Sequence, residues 1–214
     1  MKILITGFDP FGGEPLNPAF EAVKLLPGVI GDAEIVIAEV PTVFRKCGDV
    51  LRAAIIENKP DAVLCIGQAG GRSSISVEKV AINLHEARIA DNENNQPLGQ
   101  VIKEDGCTAY FATLPIKAMV KSIKEKGIPS SISYTAGTYV CNDIMYHLLY
   151  MIDKEFPEIR GGFIHVPFDT AQVVDKPEGT PSMPVATISK AIEYAVEAVA
   201  LNKEDIAASA GTTH

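Results

Sequence analysis

Cys141 stands in the segment Ala136-Gly137-Thr138-Tyr139-Val140-Cys141-Asn142-Asp143, where a strand-like run gives way to helical periodicity. The first turn of a helix carries unpaired N–H groups and the positive end of the helix dipole. Both favour thiolate over thiol, and the same N–H groups can receive a developing oxyanion. The expectation is a cysteine nucleophile with oxyanion donors on its own turn. A lone cysteine at such a junction is more often an inert buried residue, so the reading needs a base, an orienting group and a pocket.

The chain has four histidines, so the base is sought by elimination. His214 is terminal. His147 lies six residues past Cys141, which turns it roughly 240° away and about 9 Å along a helix axis. His85, in Asn83-Leu84-His85-Glu86, sits in a polar context that suits a solvated ring. His165 ends the apolar run Gly162-Phe163-Ile164-His165-Val166. A strand, helix, strand passage in a parallel sheet would return the chain to one edge and bring His165 to the start of the Cys141 helix. A satisfied core histidine is the competing reading of His165.

The third member should be a carboxylate or amide that orients the imidazole. In Ser74-Ile75-Ser76-Val77-Glu78-Lys79-Val80-Ala81-Ile82-Asn83-Leu84, alternation places Glu78 on the face of Val80, Ile82 and Leu84. A carboxylate on an apolar face needs a buried partner. That partner is an imidazole, or an arginine in a plain salt bridge, unless Glu78 lies on an edge strand in water. Asp169 and Asp143 are weaker options, and Asp143 is better explained as a first-turn acid complementing the helix dipole.

The elements that must position these residues follow a βαβ rhythm. Residues 2–6, 34–40, 62–66, 131–134 and 162–166 read as strands. Residues 18–26, 45–57, 116–126, 143–154 and 185–201 read as helices, the first opened by an Asn17 cap and Pro18. This pattern predicts a single α/β domain over residues 1–201 with a mostly parallel sheet covered by helices on both faces, and a polar frayed tail over 202–214. Glycine turns at 7–13 and 67–71 both follow strands, at the edge where such folds place ligands. The loop Gly7-Phe8-Asp9-Pro10-Phe11-Gly12-Gly13 lacks the Lys-Ser/Thr of a phosphate-binding loop, and its aromatics suit a flat, partly apolar ligand.

Composition narrows the class further. At 214 residues with 47% hydrophobic content, the chain can build one large core. The cysteines Cys47, Cys65, Cys107 and Cys141 show neither disulfide-scaffold nor metal spacing, so no metal or cofactor is expected. A net charge of −8, without a basic stripe, argues against nucleic acid. The short apolar N-terminal run and the absence of about 18 continuous apolar residues argue against secretion and membrane insertion. A reducing cytoplasm is the expected location.

The segments GFDPFGG (7–13), GQAGGR (67–72), ISVEKVAIN (75–83), AGTYVCN (136–142) and FIHVP (163–167) closely resemble those of the pyroglutamyl peptidase I family of cysteine peptidases, in the same order and across nearly the whole chain. The resemblance implies a three-layer α/β/α sandwich and an omega exopeptidase that removes an N-terminal pyroglutamyl residue through an acyl-enzyme. It also implies a homotetramer. Cys141, His165 and Glu78 match the family's nucleophile, base and orienting acid. By the same resemblance Phe8 and Phe11 would flank the lactam ring, Thr42, Ile89, Tyr139 and Val140 would complete the pocket, Gln68 would help shape it, and Arg88 would stand nearby. Tyr139 replaces a phenylalanine of some relatives. Two rivals use the same scaffold: a nucleoside phosphorylase-like enzyme, which leaves Cys141 without a task, and a non-catalytic binder of blocked N-termini.

Overall fold

A computed structural model describes residues 1–210 of the chain; residues 211–214, which include His214 and the end of the expected tail, lie outside the described part. Nine strands are present among the described residues: β1 (Lys2–Phe8), β2 (Val29–Ile30), β3 (Ala33–Val40), β4 (Ala62–Gln68), β5 (Ile75–Glu78), β6 (Val80–Ile82), β7 (Ala109–Phe111), β8 (Ser130–Ser133) and β9 (Arg160–Val166). The helices are α1 (Pro18–Lys24), α2 (Lys46–Asn58), α3 (Ile116–Glu125), α4 (Val140–Lys154) and α5 (Val185–Leu201), with a short 3-10 turn at Thr170–Val173.

Seven strands form one mixed sheet in the order β2-β3-β1-β4-β9-β5-β8. β3, β1, β4 and β9 run parallel, β5 runs antiparallel to β9, and β8 follows β5. β1, β4, β5 and β9 are buried along almost their whole length. Continuous apolar runs are what a strand covered on both faces requires. α2 packs with α4, whereas α5 packs with α1 and α3, giving the two helical layers of a three-layer α/β/α sandwich. Among the described residues no helix is long and apolar enough to cross a membrane.

Local signals fix several boundaries. Asn17 accepts the N–H of Ala19 at 3.1 Å ahead of Pro18, the expected cap of α1. α5 occupies the expected span and buries its Ile188, Ile192, Ala195 and Val199 stripe. The residues after α5 do not simply leave the body. Asp205 accepts the N–H groups of Lys117 and Ala118 at the start of α3, and Arg160 closes the end of α5 through the carbonyls of Val199 and Asn202.

Two sequence expectations fail here. Residues 75–83 are not one strand, because the chain breaks at Lys79 and β6 pairs with β7 in a separate two-stranded sheet. Glu78 therefore shares no face with Val80 and Ile82; it is buried because β5 is covered on both sides. Nor is the passage through α4 a parallel crossover, since β8 runs opposite to β9. The start of α4 reaches the end of β9 because helix and strand run antiparallel to one another. Leu148 and Ile152 lie against Gly161, and Cys141 lies against Gly67, the register partner of His165.

Candidate active site

Cys141 occupies the first turn of α4, whose cap position, Tyr139, provides no side-chain hydrogen bond to the helix. The N–H of Asp143 bonds to Tyr139 O, which leaves the N–H groups of Val140, Cys141 and Asn142 as the orphan donors of the turn. A Cβ built on Gly67 would stand 2.8 Å from Cys141 Sγ and 2.7 Å from Phe163 Cζ. The absent side chain at the end of β4 is the space that the sulfur occupies.

His165 lies between Gly67 of β4 and Ser76 of β5 in the sheet register. Its Nδ1 is 2.7 Å from Oε1 of Glu78, which has no solvent exposure. An ionised carboxylate only accepts, so Nδ1 carries the ring proton and Nε2 keeps a free lone pair. Imidazole and carboxylate are paired, beside the strand end that faces the thiol. The arginine alternative for Glu78 also materialises, with Arg72 Nη1 2.7 Å from the same Oε1.

Burial opposes the thiolate that a helix start favours. Cys141 keeps some surface, yet the protein surrounds its sulfur densely, and burial pushes the thiol up to about 12. The negative Glu78 adds to the rise and Arg72 opposes it. Burial also lowers His165, against the hydrogen bond and charge of Glu78, which act to raise it. Burial works to raise Glu78 too, but His165, Ser133 and Arg72 together hold it below its ordinary value. Burial thus favours the neutral thiol and the neutral imidazole, while the neighbours of Glu78 favour its ionised form.

The remaining candidates are placed unevenly. The Gly7–Gly13 loop meets the nucleophile's turn: the Phe11 and Tyr139 rings are 6.2 Å apart, and Tyr139 also packs edge-on against Phe44 at 5.3 Å. Thr42 is buried, with its N–H on Asp9 Oδ1 at 2.6 Å and its hydroxyl on Asp9 O at 3.2 Å. Val140 is fully buried under the turn, and Gln68 Oε1 accepts from Gln172 Nε2 at 3.1 Å. Phe8 is 2% exposed and belongs to the core, so it offers almost no open face in this state. Arg88 and Ile89 sit exposed in the loop between β6 and β7, and Arg88 makes no hydrogen bond among the described residues. Size does not mark the site. A cavity of about 530 Å³ beside α3 and β8 contains none of these residues.

Sequence reasoning missed the residues that hold this turn in place. Asn142 bonds to both backbone groups of Ile82 and to Leu84 O, tying α4 to β6. Thr138 exchanges two bonds with Glu86, and Tyr139 OH reaches Ala90 O at 3.0 Å. His85 is not solvated: it is completely buried, with Nε2 2.6 Å from Oδ1 of Asp143. Asp143 is accordingly an internal anchor rather than a surface dipole acid. Its signal in the sequence was a carboxylate two positions past the nucleophile, but its partners lie 58 and 98 positions away.

A helix-borne thiol, a buried imidazole–carboxylate pair and an α/β/α sheet edge together make the equipment of a cysteine hydrolase. Comparison with known proteins specifies the class. A family description, pyroglutamyl peptidase, matches residues 1–202. The pyrrolidone-carboxylate peptidases of Enterococcus faecalis and Clostridium botulinum are 57% and 58% identical, over 100% and 99% of both chains. The crystal structure of pyroglutamyl peptidase I from Bacillus amyloliquefaciens superposes with a TM-score of 0.93 at 51% identity, covering 96% of this chain and 99% of that one. The pyrrolidone carboxyl peptidase of Thermococcus litoralis gives 0.92 at 39% identity over 97% and 99%. This chain belongs to the pyroglutamyl peptidase family, and it is a cysteine peptidase. That assignment replaces the phosphorylase and passive-binder alternatives.

Proposed function

We propose that this chain hydrolyses the amide bond after an N-terminal pyroglutamyl residue of peptides, with Cys141 as nucleophile, His165 as base and Glu78 as orienting acid. The supporting observation is the 2.7 Å bond between His165 Nδ1 and Glu78 Oε1, which leaves Nε2 unprotonated beside the strand end where Cys141 Sγ lies. Nε2 takes the thiol proton as sulfur attacks the pyroglutamyl carbonyl carbon, and the carbonyl electrons move to oxygen. The orphan N–H groups of Val140, Cys141 and Asn142 are the donors for that oxyanion. Collapse expels the amine, which takes the proton from His165 and leaves a thioester. Water, deprotonated by His165, then releases pyroglutamate and the thiol regains its proton.

Pyroglutamate has no charged α-amine, so an ammonium-binding site has nothing to hold. Aromatic faces with a few donors and acceptors suit the lactam instead. In this proposal Phe11 and Tyr139 flank the ring and Phe8 is a floor beneath it. Thr42, Val140, Gln68, Ile89 and Arg88 complete the pocket. The reading extends to a homotetramer in the cytoplasm, as the resemblance implies. Exposed Leu98, Val101 and Phe111 suit surfaces that another copy covers.

The test is release of a chromophore from a pyroglutamyl amide under reducing conditions, with prolyl and glutamyl amides as controls. Turnover confined to the pyroglutamyl amide and abolished in Cys141→Ala is expected. Prolyl turnover at a comparable rate, or a fully active Cys141→Ala, would refute the reading.

A further inference from the structure

The reaction above gives Arg72 no task, yet the Gly67–Arg72 turn is built to deliver it. Ala69 N–H bonds to Val166 O at 2.9 Å, Arg72 N–H folds back to Ala69 O at 3.3 Å, and Gly71 takes φ +88°. That backbone angle is one that residues with a Cβ rarely adopt. The turn carries the guanidinium to Glu78, where Nη1 donates to Oε1 at 2.7 Å. The same oxygen accepts from His165 Nδ1, while Oε2 is buried without a partner.

One carboxylate oxygen thus serves an arginine and the catalytic imidazole together. Beside a neutral imidazole, Glu78 alone would be a buried anion facing neutral donors, a costly state unless a cation is held against it. Arg72 is that cation. An ionised Glu78 forces the proton onto Nδ1, which is what makes Nε2 a base. After His165 has taken the thiol proton, the same guanidinium repels the imidazolium and favours passing the proton on to the leaving amine.

We propose that Arg72 is a positioning residue of the catalytic group, keeping Glu78 ionised and His165 in its Nδ1–H tautomer through their shared oxygen. The proposal rests on the reading of Cys141, His165 and Glu78 given above. The charged and titratable groups around His165 are Glu78 on β5, Arg72 on the turn and Cys141 on α4. Cys65 of β4 lies near enough to the thiol to oppose its ionisation. Removing Arg72 takes one positive charge from this set, so the His165–Glu78 pair binds a proton more readily. The acid limb of kcat/KM then moves to higher pH. The Arg72 side chain is 30% exposed, and water screens part of its charge, so the loss is set at about tenfold, the lower range for one charge-assisted hydrogen bond.

The experiment compares pH profiles of kcat/KM on a pyroglutamyl amide for wild type, Arg72→Gln, Arg72→Lys, Glu78→Gln and His165→Ala, with thermal unfolding as the check on folding. Arg72→Gln should lose about tenfold and shift its acid limb upward, and Arg72→Lys, which restores the charge, should recover most of both. A wild-type rate and limb in Arg72→Gln, with His165→Ala crippled, would overturn the role of Arg72 and leave the catalytic group standing. A lysine variant as impaired as the glutamine one would also overturn it. Full activity in His165→Ala would instead remove the reading on which the proposal rests.

Discussion

His85 Nε2 lies 2.6 Å from Asp143 Oδ1, and both residues are completely buried. The other carboxylate oxygen accepts the N–H of Arg45 at 2.6 Å and faces Cys47 Sγ at 3.4 Å, while His147 approaches Oδ1 to 3.3 Å. One carboxylate therefore ties the nucleophile's helix to the start of α2 and to the loop after β6. Arg45 holds φ +63° at that junction, a backbone angle that the Asp143 bond helps to maintain.

Removing this carboxylate should destabilise the fold more than it alters chemistry. Asp143→Ala leaves buried donors without an acceptor, for which about 3–5 kcal/mol is the usual range. Urea unfolding measures it, and a loss below about 1 kcal/mol would contradict the anchoring role. Burial acts to raise the Asp143 carboxyl, but the close His147 ring and the hydrogen-bonded His85 ring hold it well below the ordinary range. A depressed folded value gives stability that is present above the unfolded value of about 3.9 and lost as pH falls through the folded one. Asp143→Asn should accordingly flatten the acid side of the stability curve.

Gly67→Ala is expected to strike the reaction directly. Its methyl would meet Cys141 Sγ at 2.8 Å and the Phe163 ring at 2.7 Å, so one of them must move. Overpacking of this kind costs roughly 1–3 kcal/mol, while displacement of the sulfur by about 1 Å can cost roughly 10²-fold in rate. Wild-type kcat in the Gly67→Ala variant would show that the sulfur has room elsewhere.

His165→Ala should lower kcat by roughly 10²–10⁴-fold, the usual worth of a general base. Glu78→Gln should be milder, because an amide can still accept from Nδ1 while contributing no charge. Equal losses in both variants would assign Glu78 more than orientation.

Alkylation reports the resting thiol. With burial holding Cys141 near 12, iodoacetamide should label the free enzyme slowly at neutral pH and faster with each step toward high pH. Turnover should persist to below pH of about 6.5, since burial lowers His165 under its ordinary value. A labelling plateau already complete below about pH 7 would mean a preformed thiolate–imidazolium pair.

What the sequence disclosed was whatever depends on near neighbours. The stripe of α5, the Asn17 cap and the junction at Cys141 are set by residues within a turn or two. The break at Lys79 was hidden because alternation continues through it, and only pairing with β7 far downstream separates the two strands. Strand direction was equally hidden, since a helix can lead from β8 to β9 whether or not they run parallel. His85 read as solvated because its polar neighbours are local and its acceptor is not. The catalytic candidates were legible because residue type and element boundary coincide at Cys141 and His165. The pocket residues rested on resemblance, having no period or spacing of their own.

The bonds that join residues 82–90 to Thr138, Tyr139 and Asn142 tie the loop carrying Arg88 and Ile89 to the turn carrying Cys141. In the proposed reading the outer wall and the nucleophile share one set of anchors, so the shape offered to a peptide is coupled to the position of the sulfur. A blocked N-terminus that fits meets the thiol already in register, and one that is too bulky stays outside.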